Sequence, residues 1–151
     1  MSLGMNSTIV VDMDGTLSDH NHRVHLAQAN QWDEYHQGIP DDPPNLDVKA
    51  LVNLLSREYY ILIVTGRMEY CREMTTRWLI KYGIKADEIL MRPNHDYSKA
   101  KDLKTRLLEE YFGSKEKVLE EVEIVLEDTD NVVSNLRAYG LNVWQVREGV
   151  Y

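Results

Sequence analysis

The chain has 151 residues, with 25 acidic against 17 basic side chains for a formal charge of −8, and a single cysteine. That length suits one domain with a proper core, the lone Cys71 excludes an internal disulfide and fits a reducing cytoplasm, and the acidic balance argues against tight non-specific nucleic-acid binding while leaving room for a local basic patch. No apolar run is long enough to span a bilayer, and Met1 to Gly4 read as a cloning scar ahead of a natural start at Met5, leaving residues 5–151 as the domain.

In chain order, "STIVVDM" reads as a strand buried on both faces. It stops at Asp12, with Asp14 one residue later and Gly15-Thr16 turning the chain. Residues 18–45 are polar, aromatic and His-rich, end in "PDDPPN", and read as loop. Asn45 is placed to cap a helix through "LDVKALVNLLSRE", where Val48, Leu51, Val52 and Leu55 share a face. "YYILIVT" is a second strand ending at Thr65-Gly66-Arg67. A helix from about Met68 carries Cys71, Met74, Trp78 and Tyr82 on one side, with Gly83 as its stop. "EILM" is a short third strand ending near Arg92-Pro93, and a helix spans about Ser98 to Phe112. "EEVEIVLED" is a fourth strand ending at Glu127-Asp128, "TDNVVSNLRAYG" a short helix, and "LNVWQV" a fifth strand.

Such alternation predicts an α/β fold with a mainly parallel sheet and helices on both faces. Right-handed crossovers put successive strand ends on one edge, where such folds bind ligands. Asp12, Asp14, Thr65, Arg67, Arg92, Glu127 and Asp128 are then expected to crowd one crevice. Carboxylates gathered this closely repel and call for a cation, and hard oxygen ligands suit Mg²⁺. With two arginines and a hydroxyl, the crevice becomes an oxyanion pocket, with phosphate the natural occupant. At about 100° per residue, Leu103, Leu107, Leu108 and Tyr111 cover one helical arc and Lys104 falls inside it. An inward lysine needs a partner, and the acidic crevice supplies one.

Together, "DMDGTL", Thr65, the inward lysine and "ED" after the fourth strand resemble the four motifs of the haloacid dehalogenase (HAD) superfamily. More narrowly, "TGR", "MRPNHDYSKAKDLK" and "IVLEDTDNVVSNLRAYGLNVWQV" resemble the 3′-phosphatase module of phage-type polynucleotide kinase-phosphatases, including a twelve-residue step from Arg92 to Lys104. The likeness runs from about Thr8 to Gln145. It implies a HAD-like Rossmannoid three-layer sandwich with a five-stranded sheet, residues 18–45 standing where relatives insert a cap. That insert is short, so an open site is expected. Thr129 stands where the module often has arginine, and no glycine loop ending in Lys-Ser/Thr is present, so these residues encode no kinase half.

The resemblance further implies phosphoryl transfer in two steps. Asp12 is the implied nucleophile forming an aspartyl-phosphate, and Asp14 the acid-base, its pKa raised by the neighbouring anion. Thr65 and Lys104 serve the transferring group. Mg²⁺ is held by Asp12, the Asp14 carbonyl and Asp128, Glu127 supports Lys104, and Gly66, Arg67 and Arg92 contact substrate. The expected function is a Mg²⁺-dependent phosphomonoester hydrolase acting on a nucleic-acid 3′ end, in the cytoplasm (the host's, if phage-encoded). A nucleotidase or small-molecule phosphatase with the same site, and a phosphate-binding module without turnover, remain open. "HNHRVH" at 20–25 with His36 lacks a thiolate and suits a turn better than zinc, while Trp32 and Tyr35 are placed either to stack on a base or to pack beneath the loop.

Overall fold

The computed structural model describes residues 7–149, and the scar reading of residues 1–4 lies outside them. The elements run β1 (Thr8–Val11), α1 (Val24–Gln28), α2 (Trp32–Gln37), α3 (Leu46–Leu55), β2 (Tyr60–Met68), α4 (Arg72–Lys81), β3 (Glu88–Arg92), α5 (Ala100–Phe112), α6 (Lys115–Glu121), β4 (Val122–Thr129), α7 (Asp130–Tyr139) and β5 (Val143–Gly149). The strands form one sheet in the order β3-β2-β1-β4-β5, every pairing parallel. Alternate residues of β1 feed two cores. Ile9 and Val11 pack with Val48, Val52, Trp78 and Leu79 of α3 and α4. Val10 packs on the other face with Leu103, Leu107, Val118, Val132 and Leu136 of α5, α6 and α7. The result is the expected three-layer α/β sandwich with a minimal cap insert.

Two irregularities in the ladders re-aim the strand tips. Between Thr65 and Met68 the β2–β3 register slips, so Gly66 and Arg67 bulge out of the ladder. Between Glu127 and Thr129 the β4–β5 register slips as well, leaving Asp128 outside the pairing. Bulges at strand ends turn side chains toward a site that a regular ladder would point away from.

Three local readings of the sequence are corrected. Residues 18–45 are not plain loop: they hold α1, α2 and a 3₁₀ turn at Ile39–Asp41. Each helix is at most six residues long, too short for periodicity to show. The strand β2 continues to Met68, so a 3₁₀ turn at Glu69–Cys71 delays α4. Before β4, α6 escaped the pattern because only Val118 and Glu121 are buried; the Ser114 hydroxyl starts it by accepting the Lys117 N–H at 3.1 Å.

Candidate active site

Asp12 leaves the tip of β1 into a turn closed by the Thr16 and Ser18 N–H groups donating to the Met13 carbonyl. Gly15 takes a φ of +85° there, a left-handed geometry open to glycine at little cost. Asn45 stands at the N-cap position of α3 as expected, but its side chain makes no capping bond: Nδ2 donates to the Thr16 carbonyl at 2.8 Å and ties the start of α3 to this turn.

Beneath the turn, Lys104 is 5% exposed. Its ammonium donates to Asp12 Oδ1 at 2.7 Å and Glu127 Oε2 at 2.6 Å. Oxygens of Asp12, Glu127 and Asp128 lie within 4.8 Å of one another, the one cluster of at least three metal-binding side chains among the described residues. The Thr16 hydroxyl lies 3.2 Å from both Asp12 Oδ2 and Asp128 Oδ1 and braces them. Burial and then the Glu127 anion push the Asp12 pKa well above the usual carboxylate range. Burial alone would lower the Lys104 pKa, but Asp12 and Glu127 raise it. One ammonium among three carboxylates leaves the nest net negative, and its hard oxygen donors fit Mg²⁺.

Asp14 lives in the opposite field. Its Oδ1 accepts from Arg67 Nη2 at 2.7 Å and Arg23 Nη2 at 2.5 Å. Burial would raise its pKa, yet Arg67 and Arg23 overcome that and hold it well below the usual range. The expected elevation by a neighbouring anion is thereby corrected: the two guanidiniums bonded to Asp14 lower its pKa.

Arg23, 1% exposed, and Asp42, 0% exposed, are site residues that sequence reasoning missed. Asp42 accepts from Arg23 Nε at 2.8 Å and Nη2 at 2.5 Å, and its Oδ1 lies 2.6 Å from His22 Nε2. Arg23 also sits 4.2 Å over the Tyr35 ring. Nothing in the spacing of a polar insert signals such pairing. Thr16 had a signal, as the last residue of "DxDGT", and its bracing contact was not read from it.

Of the remaining expected residues, Thr65 is buried and its hydroxyl accepts the Arg67 N–H at 3.1 Å, shaping the bulge. Arg67 gives its other donors to Thr75 and Ser18. Arg92 donates to the carbonyls of Gly66, Asp96 and Ser98. A cavity of about 810 Å³ opens over the cluster, with Asp12, Asp14, Gly66, Arg67, Arg92, Lys104 and Glu127 in its walls. His20 and His36 place Nδ1 against the hydroxyls of Tyr35 and Tyr70, and with His22 on Asp42 the histidines do not converge. Tyr35 is buried within the insert, whereas Trp32 stays exposed. Burial pushes the Cys71 thiol up to about 11, an inert state.

The family model described as the polynucleotide kinase PNKP phosphatase domain matches residues 6–151. A protein of Autographa californica nuclear polyhedrosis virus, named as a candidate bifunctional polynucleotide kinase/RNA ligase, is 28% identical over 114 residues, 74% of this chain and 15% of its own. A chain in the structure of the Pnkp1/Rnl/Hen1 RNA repair complex superposes with a TM-score of 0.76 at 28% identity, over 97% of this chain and 44% of that one. The chain thus spans less than half the length of these relatives. A haloacid dehalogenase-like hydrolase of Streptococcus pneumoniae shares the fold at a TM-score of 0.63 and 17% identity, over 94% of this chain and 87% of its own. Among the described residues no helix is long and apolar enough to cross a membrane. The chain is a phosphatase of the haloacid dehalogenase type and belongs to the family of PNKP phosphatase domains.

Proposed function

We propose that the chain removes the 3′-phosphate from a nucleic-acid end, through a phosphoryl-enzyme on Asp12 and with Mg²⁺ as cofactor. The observation that carries the reading is the division of labour between two acids. Asp12 shares one ammonium with Glu127, while Asp14, two residues on, is clamped by two arginines.

In the first step an Asp12 oxygen attacks phosphorus, the bond to the 3′ oxygen breaks, and Asp14 supplies the proton that leaves with the alcohol. In the second step a water attacks phosphorus, Asp14 takes its proton, and the Asp12 carboxylate is regenerated with release of inorganic phosphate. The clamped, ionised Asp14 of the free enzyme is ready for the second step. For the first, the incoming phosphate dianion offsets the arginines and raises the Asp14 pKa. Lys104 holds Asp12 in place and neutralises charge as it builds. Asp12 and Asp128, with the Asp14 carbonyl, would hold Mg²⁺, which would offset repulsion between carboxylate and phosphate. Thr65, Gly66, Arg67 and Arg92 frame the phosphate through the bulge of β2.

The family supports a phosphatase over a binding module without turnover, and the polynucleotide reading follows its relatives. The charge of −8 favours the second reading, a nucleotidase or small-molecule phosphatase, because a long anion is repelled more than a short one. Phosphate release from para-nitrophenyl phosphate, a 3′-phosphorylated oligonucleotide, and 3′- and 5′-mononucleotides, each with Mg²⁺ or with EDTA, separates the two. The expected result is Mg²⁺-dependent turnover with the highest kcat/KM on the oligonucleotide. A preference for any mononucleotide would overturn the end-processing reading.

A further inference from the structure

The cavity over Asp12 is larger than its chemistry requires. At about 810 Å³ it falls in the range that encloses a drug-sized ligand, roughly 300–1,000 Å³, far beyond one phosphoryl group. Two exposed aromatic side chains stand in its walls, from separate segments. Trp32 of α2 is 45% exposed and Tyr97 of the loop between β3 and α5 is 75% exposed.

Both are held. The Trp32 ring stands edge-to-face on Tyr35, centroids 5.6 Å apart at 89°, and 6.3 Å from the His36 ring. Tyr35 and His36 are buried and anchored by their own hydrogen bonds. Tyr97 lies between two residues whose carbonyls are fixed by Arg92, at 3.0 Å to Asp96 and 2.5 Å to Ser98. The Asp96 carboxylate further accepts from the Ser98 N–H and hydroxyl and pairs with Arg106. Beside its place at the phosphate site, Arg92 thus stiffens the loop that presents Tyr97.

The same wall carries Lys99 and Lys101. Among the described residues neither is paired with a carboxylate, in a chain where acids outnumber bases 25 to 17. The helix α5 begins at Ala100 with no side-chain cap, so its first N–H groups add to the local positive potential.

Resting on the 3′-phosphatase reading, we propose that Trp32 and Tyr97 are base-stacking surfaces for the last nucleotides of a single strand, and that Lys99 and Lys101 hold the backbone phosphate joining them. Flat rings bind any base through its π-face, and lysines track the backbone, so the preference is for strand length and single-strandedness, not sequence. A paired end keeps its bases stacked and offers them no free face.

The test uses the full chain and 3′-phosphorylated substrates of one and three nucleotides and a paired 3′-phosphorylated end, the trinucleotide also made abasic at its last or its penultimate position. In the wild type kcat/KM rises about 10-fold from one nucleotide to three. Trp32→Ala or Tyr97→Ala, or removal of the matching base, each loses about 10-fold on the trinucleotide, as base–aromatic stacking typically costs. Variant and abasic position combined lose no more than about twofold beyond either alone, the signature of a shared contact, and Trp32→Phe retains most of the activity. Losses that multiply, or no loss at all, would overturn the proposal by making these side chains structural or idle. Equal use of one and three nucleotides, or of duplex and single-stranded ends, would overturn it and leave the 3′-phosphatase standing. Turnover of para-nitrophenyl phosphate but of no 3′-phosphorylated nucleic acid would end both.

Discussion

Asp12 and Asp14 are two residues apart and feel opposite fields, because the chain leaves β1 after Val11 and turns, so that their side chains reach different partners. Asp12 faces Lys104, Glu127 and Asp128, and Asp14 faces Arg23 and Arg67. Asp12→Asn removes the oxygen proposed to attack phosphorus and relieves crowding among the acids. We expect kcat to fall by on the order of 10⁴ or more while the melting temperature changes little, read by phosphate release and calorimetry on the same sample. Lys104→Met should differ in kind. Its loss leaves three buried carboxylates without their ammonium, and breaking a buried ion pair from one side typically costs about 3–5 kcal/mol. A Lys104→Met protein as stable as the wild type in denaturant titration would show that the cluster is not under electrostatic strain.

At the scale of elements, the insert over residues 18–45 is bolted to the site through Arg23 and Asp42. Asp42→Asn keeps the shape but removes the charge that two buried donors of Arg23 require, and should cost about 3–5 kcal/mol. Gly38, in ordinary right-handed geometry at φ −78°, is glycine for space: a Cβ there would meet Arg23 Cδ at 2.8 Å. The insert should also be acid-labile. Burial lowers the His36 pKa from 6.5 to about 4. Between those values the unfolded chain binds more protons than the folded one, so stability falls as pH drops from 6.5 towards 4. At about 1.4 kcal/mol per pH unit the full loss is on the order of 3 kcal/mol. Denaturation midpoints measured from pH 7 to pH 4 should show this slope, and His36→Gln should flatten it, with His20, whose pKa burial also lowers, supplying the remainder. An unchanged slope in that variant would assign the acid sensitivity elsewhere.

At the scale of the whole molecule, the sequence carried the sheet, the edge that holds the site, and the inward lysine, because strand termini and helical periodicity are local patterns that a parallel topology converts into convergence. Of the two arginines on Asp14, Arg67 was placed in the same crevice, but Arg23 was not legible: it meets Asp14 only after the insert folds back, and α1 and α2 are too short to print a period. The bulges were equally hidden, since a register slip depends on the neighbouring strand. One such slip gives the last prediction. At the end of β5, Gly149 pairs with Thr129, and a Cβ on it would lie 2.7 Å from Asp128 Oδ2 and 2.8 Å from the Asp128 carbonyl. The outermost strand thus limits where the Asp128 carboxylate, a ligand in the proposed metal site, can sit. A ligand that binds only the native state at a hundredfold over its dissociation constant adds about 2.7 kcal/mol, or roughly 5–10 °C for a chain of this size. Mg²⁺ should raise the melting temperature of the wild type by that order and leave Asp128→Asn unmoved. Gly149→Ala keeps every oxygen ligand, yet displacing the Asp128 carboxylate should shrink the Mg²⁺-induced rise to less than half. A full wild-type rise in Gly149→Ala would show that Asp128 has room to yield and that β5 does not set the metal site.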